Sequence, residues 1–308
     1  MTSAHRSLRR VLPLSALAVV IVASTATAHA VLAARNDTKR HYLAASGWPT
    51  KGQAAYLLPG EHVQSSSGEQ AVPIASIAKV MTAYLVLRTF PLTPGSDGFT
   101  MTVLPADVAD TAQRHSLDES IVEVQAGEHL TERQALAALL LPSANNIAVM
   151  LAKVVSGSVV SFVATMNDMA HSLDMRHTHY TDPSGFDATT RSTAADQVIL
   201  DAAAMNVPAF REIVSLTSYP VPVAGVVHNT DALLGKEGFV GTKTGSMDAS
   251  GGCFMFATYR VIDGRSVLVY GVVLGQPGHN LITAALTAAR QLANSIAPAT
   301  PYSARNSR

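Results

Sequence analysis

The stretch PIASIAKVMTA, residues 73–83, decides the interpretation of this 308-residue chain. It contains an S-x-x-K motif, Ser76 and Lys79, near the start of a segment, residues 74–88, with the apolar spacing of a helix. Residues three apart share a helix face, so the Lys79 amine can reach the Ser76 hydroxyl. A serine hydroxyl is a poor nucleophile until a base removes its proton, and a neutral lysine is such a base. The motif therefore predicts Ser76 as a nucleophile and Lys79 as its base.

Two further motifs follow in chain order, and each is weak by itself. Ser143 and Asn145 form an S-x-N between two predicted helices, and Lys243, Thr244 and Gly245 form a K-T-G at the end of a predicted strand. An S-x-x-K alone is expected about once by chance in a chain of this length. The three motifs in this order and in these settings instead indicate one catalytic site.

The side chains of these motifs suit the steps of acyl transfer. Ser143 can relay a proton between Lys79 and a leaving nitrogen, and the Asn145 amide can donate to a substrate carbonyl. The Lys243 ammonium and the Thr244 hydroxyl are predicted to bind a terminal carboxylate. A second cation close to Lys79 also lowers the pKa of that lysine, which helps it to act as a base.

The backbone around the K-T-G motif has a predicted role as well. Gly245 lets a substrate backbone pair along the strand edge without meeting a side chain. The backbone N–H groups of Ser76 and Ser246 are predicted to form an oxyanion hole for the developing negative charge. Ser246 therefore joins the predicted substrate-binding residues.

The coarse pattern of elements predicts an α+β fold, an antiparallel sheet built from both chain ends with a helical lobe between them. A strand is predicted near the start and three β-rich runs in the last third, followed by an amphipathic helix. The middle is helical, and one helix opens with a capping-box pattern at Thr131. The predicted strands are residues 54–58, 239–244, 253–262 and 267–274; the predicted helices are residues 74–88, 131–141, 146–155, 162–173 and 281–296.

The N-terminus has the pattern of an export signal. Arg6, Arg9 and Arg10 precede a charge-free apolar run, residues 11–31, which fits both a cleaved signal peptide and an uncleaved signal anchor. Export to the outer face of the membrane, the cell-wall space or the medium is therefore expected. The predicted organisation is a signal segment at 1–34, a linker at 35–53, a catalytic domain at 54–297 and a disordered tail at 298–308.

Composition argues against several other classes of protein. The 22 basic and 22 acidic residues balance, and no basic stretch suggests a nucleic-acid partner. The single cysteine, Cys253, excludes an intrachain disulfide and lies in an apolar run, as a buried small hydrophobe would. His177 and His179 lack the helical spacing of a zinc motif. We therefore predict neither a metal site nor a cofactor.

The three motifs and their flanks resemble the D-alanyl-D-alanine carboxypeptidases, the low-molecular-mass penicillin-binding proteins. The resemblance is carried by residues 73–83, 178–196 and 229–253, and it covers roughly residues 54–275. It implies the penicilloyl-serine transferase fold, which is β-lactamase- and transpeptidase-like. It also implies an acyl-enzyme on Ser76, release of D-alanine from peptidoglycan stem pentapeptides, and β-lactams as covalent inhibitors.

The sequence departs from this family at a few positions and leaves two alternatives. Ser246 and Met247 stand where the family often has an aromatic and then a hydroxyl residue, and Asp231 stands where it often has asparagine. A class A-like β-lactamase needs a glutamate that activates the deacylating water, and residues 146–190 contain none. A catalytically inactive peptidoglycan-binding protein is the second alternative, although no motif residue is lost.

Overall fold

The four longest strands of the structure overlap the four predicted strands, and the shorter strands were not predicted. The computed structural model describes residues 45–93 and 95–300. The strands are, in chain order, β1 (Gln53–Leu57), β2 (Gln64–Ser65), β3 (Val72–Pro73), β4 (Thr100–Thr102), β5 (His129–Thr131), β6 (Arg191–Ser192), β7 (Ser218–Val221), β8 (Gly225–His228), β9 (Phe239–Met247), β10 (Gly251–Ile262) and β11 (Arg265–Gln276).

Five of these strands form the main sheet, which joins the two ends of the described chain. Its spatial order is β2-β1-β11-β10-β9, and all of its pairings are antiparallel. β1 lies beside β11, with Gln53 opposite Leu274 and Leu57 opposite Tyr270. This pairing confirms the predicted sheet built from both chain ends. β9, which carries the K-T-G motif, is an edge strand, so one side of its backbone lies outside the sheet's own pairing.

The helices fill the middle of the chain and its end. They are α1 (Lys79–Thr89), α2 (Pro105–Ser116), α3 (Glu132–Leu140), α4 (Asn145–Ser156), α5 (Val159–Ser172), α6 (Ala194–Met205), α7 (Pro208–Val214) and α8 (Leu281–Ile296). The capping box is confirmed, because Thr131 Oγ1 accepts from Gln134 N at 3.2 Å and Gln134 Oε1 accepts from Thr131 N at 2.9 Å. α5 begins earlier than predicted because Ser158 caps it, with Oγ accepting from Ser161 N.

The helical lobe is built around α1. Every residue from Lys79 to Leu87 is buried, and α1 packs against α3, α4 and α6. A helix that is buried on all sides has no polar face, which fits its apolar sequence. The main sheet is covered by α6 and α8, and β10 is buried without interruption from Gly252 to Thr258. Cys253 belongs to this buried run, as predicted.

One predicted helix is wrong in detail, and the difference concerns the nucleophile. Residues 74–88 do not form a single helix, because Ser76 lies in a separate 3-10 turn, Ala75–Ala78, that precedes α1. Ala75 has a φ of +47°, a left-handed conformation that costs an L-residue roughly 1–2 kcal/mol. A side chain on Gly185 would collide with the Ala75 carbonyl, so the loop of Gly185 packs directly on this bend. The 3-10 turn that carries Ser76 is thus held by packing against the Gly185 loop.

Both ends of the described chain pack on the sheet. Ala45 is buried, and Trp48 stacks on Tyr56 of β1, so residues 45–53 of the predicted linker have tertiary contacts. Val261 N donates to Pro298 O at 2.8 Å, which ties the first residues of the predicted tail to β10. The predicted export segment, residues 1–34, and residues 301–308 of the predicted tail lie outside the described residues.

The described ranges, 45–93 and 95–300, contain no single helix that is long and apolar enough to cross a membrane. The pair α4 and α5 reaches the required length and composition only when taken together, and it is bent by 83°.

Candidate active site

The nucleophile and its predicted base lie in contact. Lys79 Nζ is 2.8 Å from Ser76 Oγ, because the 3-10 turn leads directly into α1 and keeps the two side chains together. Lys79 Nζ also donates to Ser184 O at 2.9 Å. The lysine is fully buried, and this burial holds its pKa well below the usual value, with the nearby Lys243 lowering it further. A neutral amine beside a hydroxyl is a base in position to take a proton.

The loop at residues 182–187 supplies the second contact of Lys79. Asp182 Oδ2 accepts from the backbone and hydroxyl of Ser184 and from Phe186 N, at 2.6–3.1 Å. Pro183 O accepts from Thr82 Oγ1 of α1 at 2.6 Å. The loop is therefore fastened to α1, and the Ser184 carbonyl is held against Lys79. Sequence reasoning missed this contact, since it uses a backbone carbonyl; the local signal is the Asp-Pro-Ser-Gly turn pattern.

The S-x-N motif presents unpaired polar atoms. Ser143 has a φ of +73°, and its Oγ is buried without a hydrogen-bond partner among the described residues. Asn145 begins α4; its Nδ2 donates to Glu119 Oε2 at 2.7 Å, whereas its Oδ1 is buried and unpaired. A buried polar atom without a partner costs about 1–3 kcal/mol. Strain and unpaired atoms at neighbouring positions are typical of a site that is completed by a ligand.

The K-T-G motif places a second buried lysine at the sheet edge. Lys243 is 1% exposed, and its Nζ donates to Thr244 O at 2.9 Å. Burial lowers the pKa of Lys243 to about 7, and the nearby Asp231 carboxylate acts in the opposite direction. Burial raises the pKa of Asp231 to about 6, against the effects of two backbone N–H groups and of Lys243. Lys243 therefore retains its charge up to about neutral pH, where it can bind an anion.

The remaining residues of this motif, and Ser246 after it, also lie on β9. Thr244 Oγ1 lies 2.6 Å from Thr230 Oγ1. A Cβ on Gly245 would stand 2.9 Å from Ser76 N, so the glycine lets β9 approach the 3-10 turn closely. The predicted contact of Gly245 with substrate stays a prediction, and close packing is a second reason for a glycine there. Ser246 is exposed and lies opposite Gly252 of β10; its part in an oxyanion hole also stays a prediction.

A carboxylate that sequence reasoning missed borders the site. Glu119 lies on the loop after α2, and its Oε2 accepts from Asn145 Nδ2 and from Arg114 Nη1. Glu119 precedes the S-x-N motif, and so lies outside residues 146–190, where a class A-like β-lactamase would have its glutamate. No local pattern signals it, since the contact joins segments that are distant in the sequence.

Comparison with known proteins agrees with this geometry. The model of the D-alanyl-D-alanine carboxypeptidase family, Peptidase S11, matches residues 60–278. The D-alanyl-D-alanine carboxypeptidase DacB2 of Mycobacterium tuberculosis is 34% identical over 229 residues, which are 71% of this chain and 74% of that protein. A D-alanyl-D-alanine endopeptidase of Pseudomonas aeruginosa is 30% identical over 210 residues, 65% of this chain and 63% of that protein.

Among solved structures, a mutant of the Streptomyces K15 DD-transpeptidase superposes with a TM-score of 0.70 at 25% identity. The alignment covers 80% of this chain and 98% of that one. The predicted fold class and the predicted family are thus both confirmed. The chain belongs to the D-alanyl-D-alanine carboxypeptidase family.

Proposed function

We propose that this protein is a serine-type D-Ala-D-Ala carboxypeptidase that removes the terminal D-alanine from peptidoglycan stem pentapeptides through an acyl-enzyme on Ser76. The observation that carries the proposal is the 2.8 Å contact between Ser76 Oγ and the Nζ of a fully buried Lys79. The second buried lysine, Lys243, lies close enough to lower the pKa of Lys79. This arrangement suits a serine nucleophile with a lysine base.

In the acylation step, Ser76 Oγ attacks the carbonyl carbon of the penultimate D-alanine. The new bond is O–C, and the hydroxyl proton passes to Lys79 Nζ. Ser143 Oγ, which has no partner in the described residues, relays that proton from Lys79 to the leaving nitrogen as the C–N bond breaks, so Lys79 is neutral again. Water then attacks the ester carbon and gives a proton to Lys79; as the O–C bond breaks, Lys79 returns this proton to Ser76 Oγ and the peptide leaves with a new carboxylate.

The substrate's carboxylate is proposed to bind to Lys243 and Thr244, which lie in the middle of β9 because this strand extends to Met247, beyond its predicted end. β9 is an edge strand of the sheet. An extended peptide can add to such an edge by backbone hydrogen bonds. Binding a carboxylate favours the charged form of Lys243, so we expect the enzyme to take up a proton with substrate above about pH 7.

The location and the remaining partners are proposals of the same kind. The basic start and the apolar run at residues 1–34 support export to the compartment that holds peptidoglycan, either cleaved or anchored. β-Lactams mimic the reacting peptide for enzymes of this family, and we propose that they acylate Ser76.

The test is release of the C-terminal alanine, of either enantiomer, from an acetylated tripeptide that ends in Lys-D-Ala-D-Ala, compared with the same peptide ending in D-Ala-L-Ala. The proposal expects release from the first peptide only and a long-lived penicillin adduct. Rapid penicillin hydrolysis without D-alanine release would favour the β-lactamase alternative. Binding of peptide without either reaction would favour the inactive binding protein.

A further inference from the structure

Glu119 is a buried carboxylate that touches the S-x-N motif. Its side chain is 4% exposed. Oε2 accepts two hydrogen bonds, from Asn145 Nδ2 at 2.7 Å and from Arg114 Nη1 at 2.8 Å. Nothing in the reaction described above uses this residue.

The contact with Glu119 decides which way the Asn145 amide points. A carboxylate can only accept, so it selects the NH₂ end of the amide and excludes the carbonyl end. Asn145 Oδ1 is therefore turned away from Glu119, and it is the buried atom that has no partner. One amide proton is committed to Glu119, while the other proton and Oδ1 are left for groups in the cleft.

The loop that holds Glu119 is itself fixed on both sides. Arg114 donates to Asp110 through Nε at 2.7 Å, which anchors the guanidinium on α2. Ser120 O accepts from Asn145 N at 2.7 Å. The loop that carries Glu119 is thus held to both α2 and α4 and forms one wall of the site.

We propose that Glu119 is a positioning residue for the reaction of Ser76, acting through Asn145, whose amide it fixes in the orientation that receives the substrate. The inference rests on the proposed function, because it assigns the Asn145 amide to the substrate carbonyl. Arg114 is the cation that compensates the Glu119 charge, so the pair adds little net charge beside the two lysines.

Removing the charge of Glu119 and removing the charge of Arg114 should have opposite effects on the pKa of Lys79. The charged groups that act on Lys79 are Lys243 from β9, Asp182 from the 182–187 loop, Glu119 from the loop after α2, and Arg114 from α2. Glu119 raises the pKa of Lys79, and Arg114 lowers it. Neutralising Glu119 should therefore move the acidic limb of the acylation rate to lower pH, and neutralising Arg114 should move it to higher pH.

The experiment is a double-mutant cycle on the rate of acylation by penicillin, using Glu119→Gln and Asn145→Ala. A glutamine fills the same space but can offer either end of its amide, so the Asn145 orientation is no longer imposed. We expect Glu119→Gln to slow acylation at least ten-fold in the wild-type background and less than three-fold when Asn145 is already alanine. Additive losses, or an unchanged rate in Glu119→Gln, would overturn the proposal.

The pH profiles separate positioning from a loss of structure. Glu119→Gln and Arg114→Gln should shift the acidic limb in opposite directions, whereas damage to the fold lowers the rate at every pH without a shift. Should Glu119→Gln fail to fold, Glu119→Asp, whose shorter side chain cannot keep the 2.7 Å contact with Asn145 Nδ2, takes its place in the cycle, and additive losses there count against the proposal. Lys153→Met is the matched control, because it removes a different ion pair of the same lobe, Lys153 of α4 with Asp107 of α2 at 2.8 Å; its profile should equal that of the wild type.

A readout without the reaction keeps the inference separate from the proposed function. The side-chain amide resonances of Asn145, assigned by their loss in Asn145→Ala, report the Glu119 contact directly. They should be slow to exchange in the wild type and change strongly in Glu119→Gln. If the wild type is not acylated, the proposed function is wrong. If the Asn145 side-chain resonances are unchanged in Glu119→Gln, the positioning inference is wrong.

Discussion

The two buried lysines of the site lie in different parts of the fold and have different surroundings. Lys79 belongs to the helical lobe, where its Nζ contacts Ser76 Oγ and Ser184 O. Lys243 belongs to the edge strand of the sheet, where its Nζ donates to Thr244 O. Burial lowers the pKa of both lysines, but the next largest influence is a cation for Lys79 and the Asp231 carboxylate for Lys243.

The sign of the neighbouring charge with the largest influence on the pKa separates the roles that we propose for the two lysines. A lysine that faces another cation loses its proton easily and serves as a base. A lysine that faces a carboxylate keeps its proton longer and can bind an anion, here up to a pH of about 7. The same residue type can thus supply the base on one side of the cleft and the anion site on the other.

The largest effect is expected from removing the base. Lys79→Ala should lower the rate of acylation by penicillin about 10²–10⁴-fold, the usual contribution of a positioned general base. Stopped-flow or mass-spectrometric measurement of adduct formation gives the rate, and exposed Lys51→Ala serves as the control. Acylation at the wild-type rate in Lys79→Ala would show that Lys79 is not the base.

Removing the anion site should have a smaller effect that depends on the substrate. Lys243→Ala should lower kcat/KM at least ten-fold on a peptide that ends in a free D-Ala-D-Ala carboxylate, since a charge-assisted hydrogen bond is worth roughly 1.5–3 kcal/mol. A peptide with an amidated C-terminus should already be poor for the wild type and should lose much less on mutation. Equal losses on the two peptides would mean that Lys243 does not bind the carboxylate.

The charge of Asp231 should tune this anion site. Asp231→Asn removes a carboxylate that raises the pKa of Lys243, so the lysine loses its proton at lower pH. The alkaline limb of kcat/KM should therefore move below its wild-type position near pH 7, with a several-fold loss at pH 8. Asp248→Asn changes an exposed acidic residue near the end of the same strand and should leave the profile unchanged. A shift to higher pH would contradict the assignment.

Asp201 offers a contrast, because hydrogen bonds, and not a neighbouring charge, act on its pKa beside burial. Burial raises its pKa to about 8, against a hydrogen bond from Thr242 Oγ1 at 2.7 Å. The native state then binds a proton that the unfolded state releases above about pH 4, so the free energy of unfolding should fall as pH rises from 4 to 8. This single group contributes a slope of at most about 1.4 kcal/mol per pH unit.

Asp201→Asn should flatten that slope in urea unfolding between pH 5 and pH 8, while exposed Asp168→Asn should not. An unchanged slope in Asp201→Asn would show that the carboxyl is ionised in the folded protein.

The sequence predicted what depends on local chemistry and short motifs. The S-x-x-K, the capping box at Thr131 and α8 could be identified, because each is a pattern within a few turns of chain. α2 was not predicted, since only Asp107 and Thr111 of its residues are buried and it has no apolar stripe. Contacts between segments that are distant in the sequence were not predicted either, because no local pattern indicates them.

Two such contacts matter at the site. The Ser184 carbonyl belongs to the backbone, so no residue type signals it, and it reaches Lys79 across 105 positions. The left-handed bend at Ala75 depends on glycines of two other segments, Gly185 and Gly245, that leave room for it. A helical period cannot reveal such a bend, which is why the single predicted helix was wrong at its start.

The central claim is that Ser76 is the nucleophile, and peptide mapping by mass spectrometry after exposure to a penicillin tests it most directly. The account predicts one covalent adduct per chain on the peptide that contains Ser76, and none in Ser76→Ala. An adduct that maps to another residue, or that persists in Ser76→Ala, would contradict it.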